Sequence, residues 1–579
     1  MPPYSSYPNE YDKIMSEPAL GFERKEYKNL LIDLQANILK HHRKEYANHI
    51  LITFQEGCHQ EAKEWLTWAA EKVTPAIEQL KNRTKSNKDS LICCIYLSSE
   101  GYDFLGLDYL KPRNCPSFYK GLRENVIRGF DTSEFIYSKR HAMVLLASNS
   151  LDDLKIETKK LRTEPGSGTE WILNDIAKVH EQLGFTRYAD MNNKRGVIDW
   201  FGFRDGISNP VFFPDAYGKN SKNITFKAKD IAPLRLVLTK DPGGKMSDSS
   251  GSFLAYLKFR QNGQAFDTLV NHIAEQLDKS NPNRFLDLAK ATIVGRHTDG
   301  TPLTLSNRKQ KTTSEKDFDY KELKRSGSVF QSDELGVRCP FHGHIRKVNP
   351  RTPLSDYQDR RIVRRGVLYA SKMNDDLKEL SDNFQEADTF EDKGMLFMSF
   401  QNSLETQFEY IITNWMHNNF WEGLASGRDI LTSKKDNVDR KILKKWNGDA
   451  LGNDDFIKVK LNEALVSLLE GHYFFAPSIS FLSSIGGRRS NIIAGGKTEK
   501  VPQNVTSNTN QTSSTFDKTF SGRLGQMIKM ACENMVKRED KTNSVKSYRP
   551  DISTKGEIGQ RIKTTSETMS KRKNKPGQV

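Results

Sequence analysis

One short segment brings two histidines and three basic residues together: Cys339-Pro340-Phe341-His342-Gly343-His344-Ile345-Arg346-Lys347-Val348-Asn349-Pro350-Arg351. A neutral imidazole can ligate a metal, including the iron of a haem, and nearby cations suit the carboxylates that such a group carries. The Cys339-Pro340 and Asn349-Pro350 pairs favour extended and turn backbone around it. Spacing alone leaves His342 nearly as good a ligand as His344, and a lone histidine is more often a surface or core residue. Two further segments carry acid and base. Asp205 lies in Gly202-Phe203-Arg204-Asp205-Gly206, flanked by Trp200 and Phe201 and followed by Asn209-Pro210. Its bland reading is an Asx-type turn. Its functional reading is a carboxyl at the edge of an apolar pocket, where desolvation raises the pKa and lets it carry protons. Arg364, in Ile362-Val363-Arg364-Arg365-Gly366, is a charge inside an apolar strand. It faces solvent or a polar cavity, and Arg365 must then face the opposite way. A fourth segment, Gly427-Arg428-Asp429-Ile430, adds one more carboxylate.

Positioning such residues takes a sizeable scaffold, and the 579-residue chain exceeds one ordinary core. Strand-like runs occur at 49–54, 91–97, 142–147, 252–259, 362–369, 395–400 and 472–475. Apolar residues at helical spacing predict helices over 61–80, 263–277 and 404–417, and another over 150–161 with Ser150 as N-cap. This mixture predicts an α+β protein in two halves of similar strand–helix–strand logic. The expected divisions are a flexible segment 1–27, an N-terminal domain 28–235, a C-terminal domain 236–489 and a basic, mostly disordered tail 490–579. A Lys-, Asp-, Gly- and Ser-rich stretch at 215–250 reads as a linker or long excursion.

Composition excludes several classes. No apolar run approaches the length of a membrane span, and the N-terminus has neither the charge nor the apolar core of a secretory signal, which predicts the cytoplasm. The six cysteines lack framework spacing, and the adjacent Cys93 and Cys94 read as small buried hydrophobes of a reducing compartment. The net charge is +15, and residues 501–579, with 15 Lys and Arg against 7 Asp and Glu, carry +8 of it. Only three aromatics, Phe516, Phe520 and Tyr548, fall among those basic residues, which argues against nucleic acid as a partner. Ala494-Gly495-Gly496-Lys497-Thr498 ends like a phosphate loop but has Asn491 where the first glycine belongs. Hydrolase elbows, zinc motifs and the C-x-x-C-H of covalent haem are missing.

Taken in order, these segments resemble the dye-decolourising (DyP-type) haem peroxidases. The resemblance is carried by Asp33-Leu34-Gln35-Ala36-Asn37-Ile38-Leu39, the G-x-x-D-G segment with Ile207-Ser208-Asn209-Pro210, and Val294-Gly295-Arg296 with Asp299-Gly300-Thr301-Pro302-Leu303. It continues through Cys339 to Arg351, Met395 to Gln401, and Gly471 to Pro477, spanning roughly 28 to 486. It implies two ferredoxin-like α+β domains with antiparallel sheets and peripheral helices, the haem lying mainly in the C-terminal one. It implies His344 as the proximal iron ligand, Asp205 as distal acid/base and Arg364 as distal arginine. Asp429 falls where the family has a carboxylate bonded to the proximal histidine, although Asp429-Ile430-Leu431-Thr432 lacks the family's proline. Arg346 and Arg351 become candidates for the haem propionates. The implied cofactor is non-covalent haem b. The implied activity is reduction of hydrogen peroxide with one-electron oxidation of bulky organic donors such as dyes and phenolics. The alternative is a haem-handling protein with little turnover. No membrane partner is expected, and assembly with further copies of the chain is allowed for.

Overall fold

The computed structural model describes residues 10–487 apart from 20, 83–89, 165–170, 192–193, 218–230, 311–317, 319, 321–322, 326–327, 331–332, 335, 337, 352–356, 371–391, 422–423 and 444–455. The tail expected from 490 therefore lies outside the described residues.

Two halves repeat one order of elements. The first runs β1 (Tyr46–Phe54), α1 (His59–Ala70), β2 (Ile92–Leu97), β3 (Ala142–Ser148), α2 (Leu151–Thr163) and β4 (Ala177–Phe185). The second runs β5 (Ser250–Gln261), α3 (Gly263–Leu277), α4 (His344–Val348), β6 (Val367–Ala370), β7 (Lys393–Gln401), α5 and β8 (Val466–Ala476). Here α5 is two consecutive π-helical stretches, Leu404–Glu409 and Ile411–Met416. The antiparallel strand orders are β4-β1-β3-β2 and β8-β5-β7-β6, the same ferredoxin-like arrangement twice. Single antiparallel pairs, Phe475 with Leu97 and Leu368 with Phe185, join the two sheets at both edges. Eight strands thus close into a barrel with no free edge among them.

Closure explains the nearly continuous apolar runs of β2 and β3, because both faces are buried. Ile50, Ile52, Cys93, Ile95, Val144 and Leu146 pack outward on Trp65, Leu66 and Ala69 of α1. The alternating residues Leu51, Cys94, Met143 and Leu145 join Tyr256, Leu396 and Met398 inside the barrel. Cys93 and Cys94 are buried free thiols, each held well above the ordinary thiol range, chiefly by burial. Close strand packing needs Gly394 in β7, where an added Cβ would lie 1.9 Å from the Phe259 carbonyl.

Several local expectations change. The helix expected over 61–80 is two, because Pro75 lacks an N–H and starts a second helix, Ala76–Lys81. Ser150 does cap α2, accepting the Asp153 N–H at 3.1 Å. Part of the segment expected to be loose forms a helix, Glu10–Ser16, and buries Met15, Phe22 and Tyr27. Within 215–250, Leu234, Leu236 and Leu238 are core residues. The strand expected over 362–369 breaks at Arg365-Gly366 into Val363–Arg364 and β6, both paired with β7.

Candidate active site

A cavity of about 300 Å³ lies beneath the barrel wall. Its apolar walls come from Leu257 and Phe259 of β5, Met395 and Phe397 of β7, and Phe408, Ile411, Ile412 and Met416 of α5. The π-helical winding of α5 is rare in proteins and frequent beside functional sites.

His344 opens α4, the five-residue helix inside the segment expected to be extended and turned. The turn Pro340–Gly343 (N–H to carbonyl, 2.9 Å) leads into it. Its Nδ1 lies 2.7 Å from Asp429 Oδ2. A carboxylate can only accept, so Nδ1 carries the hydrogen and Nε2 keeps its lone pair. The imidazole is 26% exposed and lines the cavity, whereas the Asp429 side chain is 0% exposed. Burial pushes Asp429 up, but His344, through its charge when protonated and its hydrogen bond, together with the hydrogen bonds from Thr432 and the Leu431 N–H, outweighs it and holds the carboxyl below its ordinary range. Asp429 is positioned from α5, its N–H donating to the Met416 carbonyl at 2.8 Å. Lys347, on the same short helix as His344, donates to the Asn418 carbonyl and Ser426 Oγ and so holds the loop that leads to Asp429. His342, the rival ligand on spacing, is buried and absent from the cavity lining.

Asp205 and Arg364 meet at the same cavity, with Nη1 of the arginine 3.8 Å from Oδ1 of the acid. The turn reading of Asp205 is also present in part, since Oδ1 accepts the Gly206 N–H at 2.6 Å. Gly202 and Gly206 have φ of +85° and +76°, which only glycine adopts without strain. Arg364 is fixed twice: Nη2 donates to the Ile207 carbonyl (2.8 Å), and its N–H to Asn209 Oδ1 (3.1 Å). Arg365 faces the other way, buried, donating to the carbonyls of Asn37 and Ile38 at 2.7 Å. Those two residues belong to the Asp33–Leu39 segment, so that segment braces the strand that presents Arg364.

Of the two expected carboxylate-holding arginines, Arg346 is a correction. It is buried away from the cavity, bonded to Asp333 and to the carbonyls of Cys339 and Glu334, and stacked 3.9 Å from the Tyr320 ring centre. Arg351 does line the cavity, and beside it stands Arg296, which sequence reasoning left without a role. Both donate to Ser208 Oγ, at 3.0 and 3.2 Å, and both lie over the Phe318 ring. Burial, then repulsion from Arg351, lowers Arg296 to about 9. Two buried like charges facing a cavity form a site that an anionic group would stabilise.

This donor set fits a haem: one imidazole lone pair, apolar walls, and a guanidinium pair for carboxylates. Among the described residues no cluster of three or more His, Cys, Asp or Glu could hold a bare metal ion. No helix among them is long and apolar enough to cross a membrane.

No protein-family model matches the chain. It is 28% identical over 485 residues to the multifunctional dye peroxidase DyP2 of Amycolatopsis sp., covering 79% of this chain and 96% of that protein. It is 26% identical over 416 residues to the dye-decolorizing peroxidase msp1 of Mycetinis scorodonius, covering 68% and 75%. The crystal structure of a DyP-type peroxidase from Anabaena sp. superimposes with a TM-score of 0.67 at 28% identity, over 83% of this chain and all of that one. The repeated ferredoxin-like sheets, the cavity and these likenesses agree: the chain is similar in sequence and in fold to dye-decolourising (DyP-type) peroxidases.

Proposed function

We propose that the cavity holds non-covalent haem b on His344 and that the chain uses it to reduce hydrogen peroxide at the expense of bulky organic donors such as dyes and phenolics. The observation that carries this reading is one apolar-walled cavity joining a carboxylate-bound imidazole to a carboxylate–guanidinium pair. Bound there, haem supplies the redox equivalents that cleave peroxide and withdraw single electrons from the donor.

The protein's own residues move the protons and hold the charges. Breaking peroxide so that water departs requires one proton to pass from one oxygen to the other. Asp205 can accept and return that proton if its carboxylate is ionised when peroxide arrives. The Arg364 guanidinium, 3.8 Å from Asp205, faces negative charge developing on the departing oxygen. Asp429 fixes the His344 tautomer and strengthens its nitrogen as a donor. Arg351 and Arg296 would hold the propionates. A haem-handling protein with little turnover would need no acid beside an arginine, so the Asp205–Arg364 pair favours the peroxidase reading. Free buried thiols are compatible with the cytoplasm as its compartment.

Steady-state turnover with a dye tests the roles. Asp205→Ala and Arg364→Leu should each lose roughly a hundredfold or more in peroxide turnover while keeping a wild-type haem spectrum. Unchanged rates would contradict the assignment.

A further inference from the structure

Six residues ahead of Asp205, the same loop carries a second carboxyl on the cavity wall. Asp199 Oδ1 accepts the Phe203 N–H at 2.8 Å, and the Asp199 N–H donates to the Phe203 carbonyl at 2.9 Å. The Gly202 N–H closes the turn on the Asp199 carbonyl at 3.1 Å. The loop that presents Asp205 is therefore built on Asp199. Its side chain is only partly buried, because it opens onto the cavity that Asp205, Arg204 and Arg364 also line.

We propose that Asp199 is a positioning and proton-supplying partner of Asp205, bracing the loop and returning protons to the cavity during the reductive half of turnover. This rests on the peroxidase reading above. The proton balance requires such a source. Peroxide takes up two electrons and two protons to give two waters. The first water forms from a proton that Asp205 only relocates. The second water needs two protons from outside the cavity, while the electrons come from a donor too bulky to enter and deliver them. A neutral carboxyl at the wall can release a proton inward and recover one from solvent.

The electrostatics suit that task. Burial raises the Asp199 carboxyl to about 7; the Phe203 N–H opposes the rise, the Asp205 charge adds to it, and the Phe201 N–H and Arg187 oppose it. Arg187 reaches in from the adjacent strand Arg187–Met191, its Nη1 3.5 Å from the Asp199 carbonyl. Arg204 and Arg364 are cations of the same cavity wall, and Lys393 lies over the neighbouring Trp200 ring.

The test uses the haem-loaded protein and rapid mixing, with separate rates for reaction with peroxide and for reduction by a dye between pH 5 and 9. Asp199→Asn keeps an oxygen for the Phe203 N–H but carries no proton it can release as an acid. In it the reduction rate should fall about a hundredfold more than the peroxide rate. The wild-type decline in reduction as pH rises through about 7 should vanish, and Asp199→Glu should restore it. Equal losses in both rates with the decline retained would reduce Asp199 to a loop brace, and unchanged rates would remove it altogether. Either result overturns the proposal. Failure of the underlying reading is read separately, from an Asp205→Ala peroxide rate that does not fall.

Discussion

Replacing Asp429 by asparagine should weaken haem binding about ten- to a hundredfold, and the magnitude follows from the donors around it. Three hydrogens converge on the buried carboxylate: His344 Nδ1–H and the Thr432 hydroxyl on Oδ2, both at 2.7 Å, and the Leu431 N–H on Oδ1 at 2.9 Å. Asparagine supplies one acceptor oxygen and one donor nitrogen. If its nitrogen takes the Oδ1 place, it opposes the Leu431 N–H inside the protein. If it takes the Oδ2 place, it opposes His344, and the imidazole answers by moving its hydrogen to Nε2. That nitrogen then has no lone pair for iron. Losing a hydrogen bond to a charged group costs about 1.5–3 kcal/mol, and each factor of ten in affinity is about 1.4 kcal/mol. Titrating the apoprotein with haemin and following the Soret absorbance gives both dissociation constants. Constants within twofold of each other, with identical spectra, would refute the reasoning.

Other expectations concern the rest of the scaffold. Arg351→Met should weaken haem binding but leave binding of the haem dimethyl ester, which lacks the carboxylates, unchanged. Arg346→Met should instead lower the melting temperature by stranding the buried Asp333, a loss of about 3 kcal/mol, with haemin affinity moving little in a titration. His49 is buried with both ring nitrogens unpartnered, and burial lowers it from 6.5 to about 3. Above pH 6.5 both folded and unfolded chains hold this imidazole neutral. Between 6.5 and about 3 only the unfolded chain takes up the proton, so stability falls with falling pH by about 1.4 kcal/mol per unit. Denaturant melts of His49→Leu across that range should show a shallower acid loss than the wild type; parallel curves would contradict it.

Much of the scaffold was legible because alternation and helical spacing are local. Gly263–Leu277 has the limits read from its apolar face. The opposite facing of Arg364 and Arg365 followed from the two-residue strand period. Barrel closure was not legible, since it rests on single pairs such as Phe475 with Leu97, remote in sequence. The choice between His342 and His344 depended on which ring meets a carboxylate 85 residues away. Arg346 was misplaced because the short helix α4 lies hidden between prolines. In a helix, residues two apart point to nearly opposite sides, so a cavity-facing His344 sends Arg346 inward to Asp333. Arg351 returns to the cavity only after the helix ends, through a left-handed φ of +54°. Asp199 and Arg296 were missed because each looks like an ordinary turn or helix-end residue until the cavity brings them together.

The decisive measurement is the visible spectrum of the purified protein beside that of His344→Ala. The wild type should show a Soret band with five-coordinate, high-spin ferric features, and the variant should lose that band or carry a changed one. An alanine variant holding as much haem with an unaltered spectrum would contradict the assignment of His344 as the iron ligand.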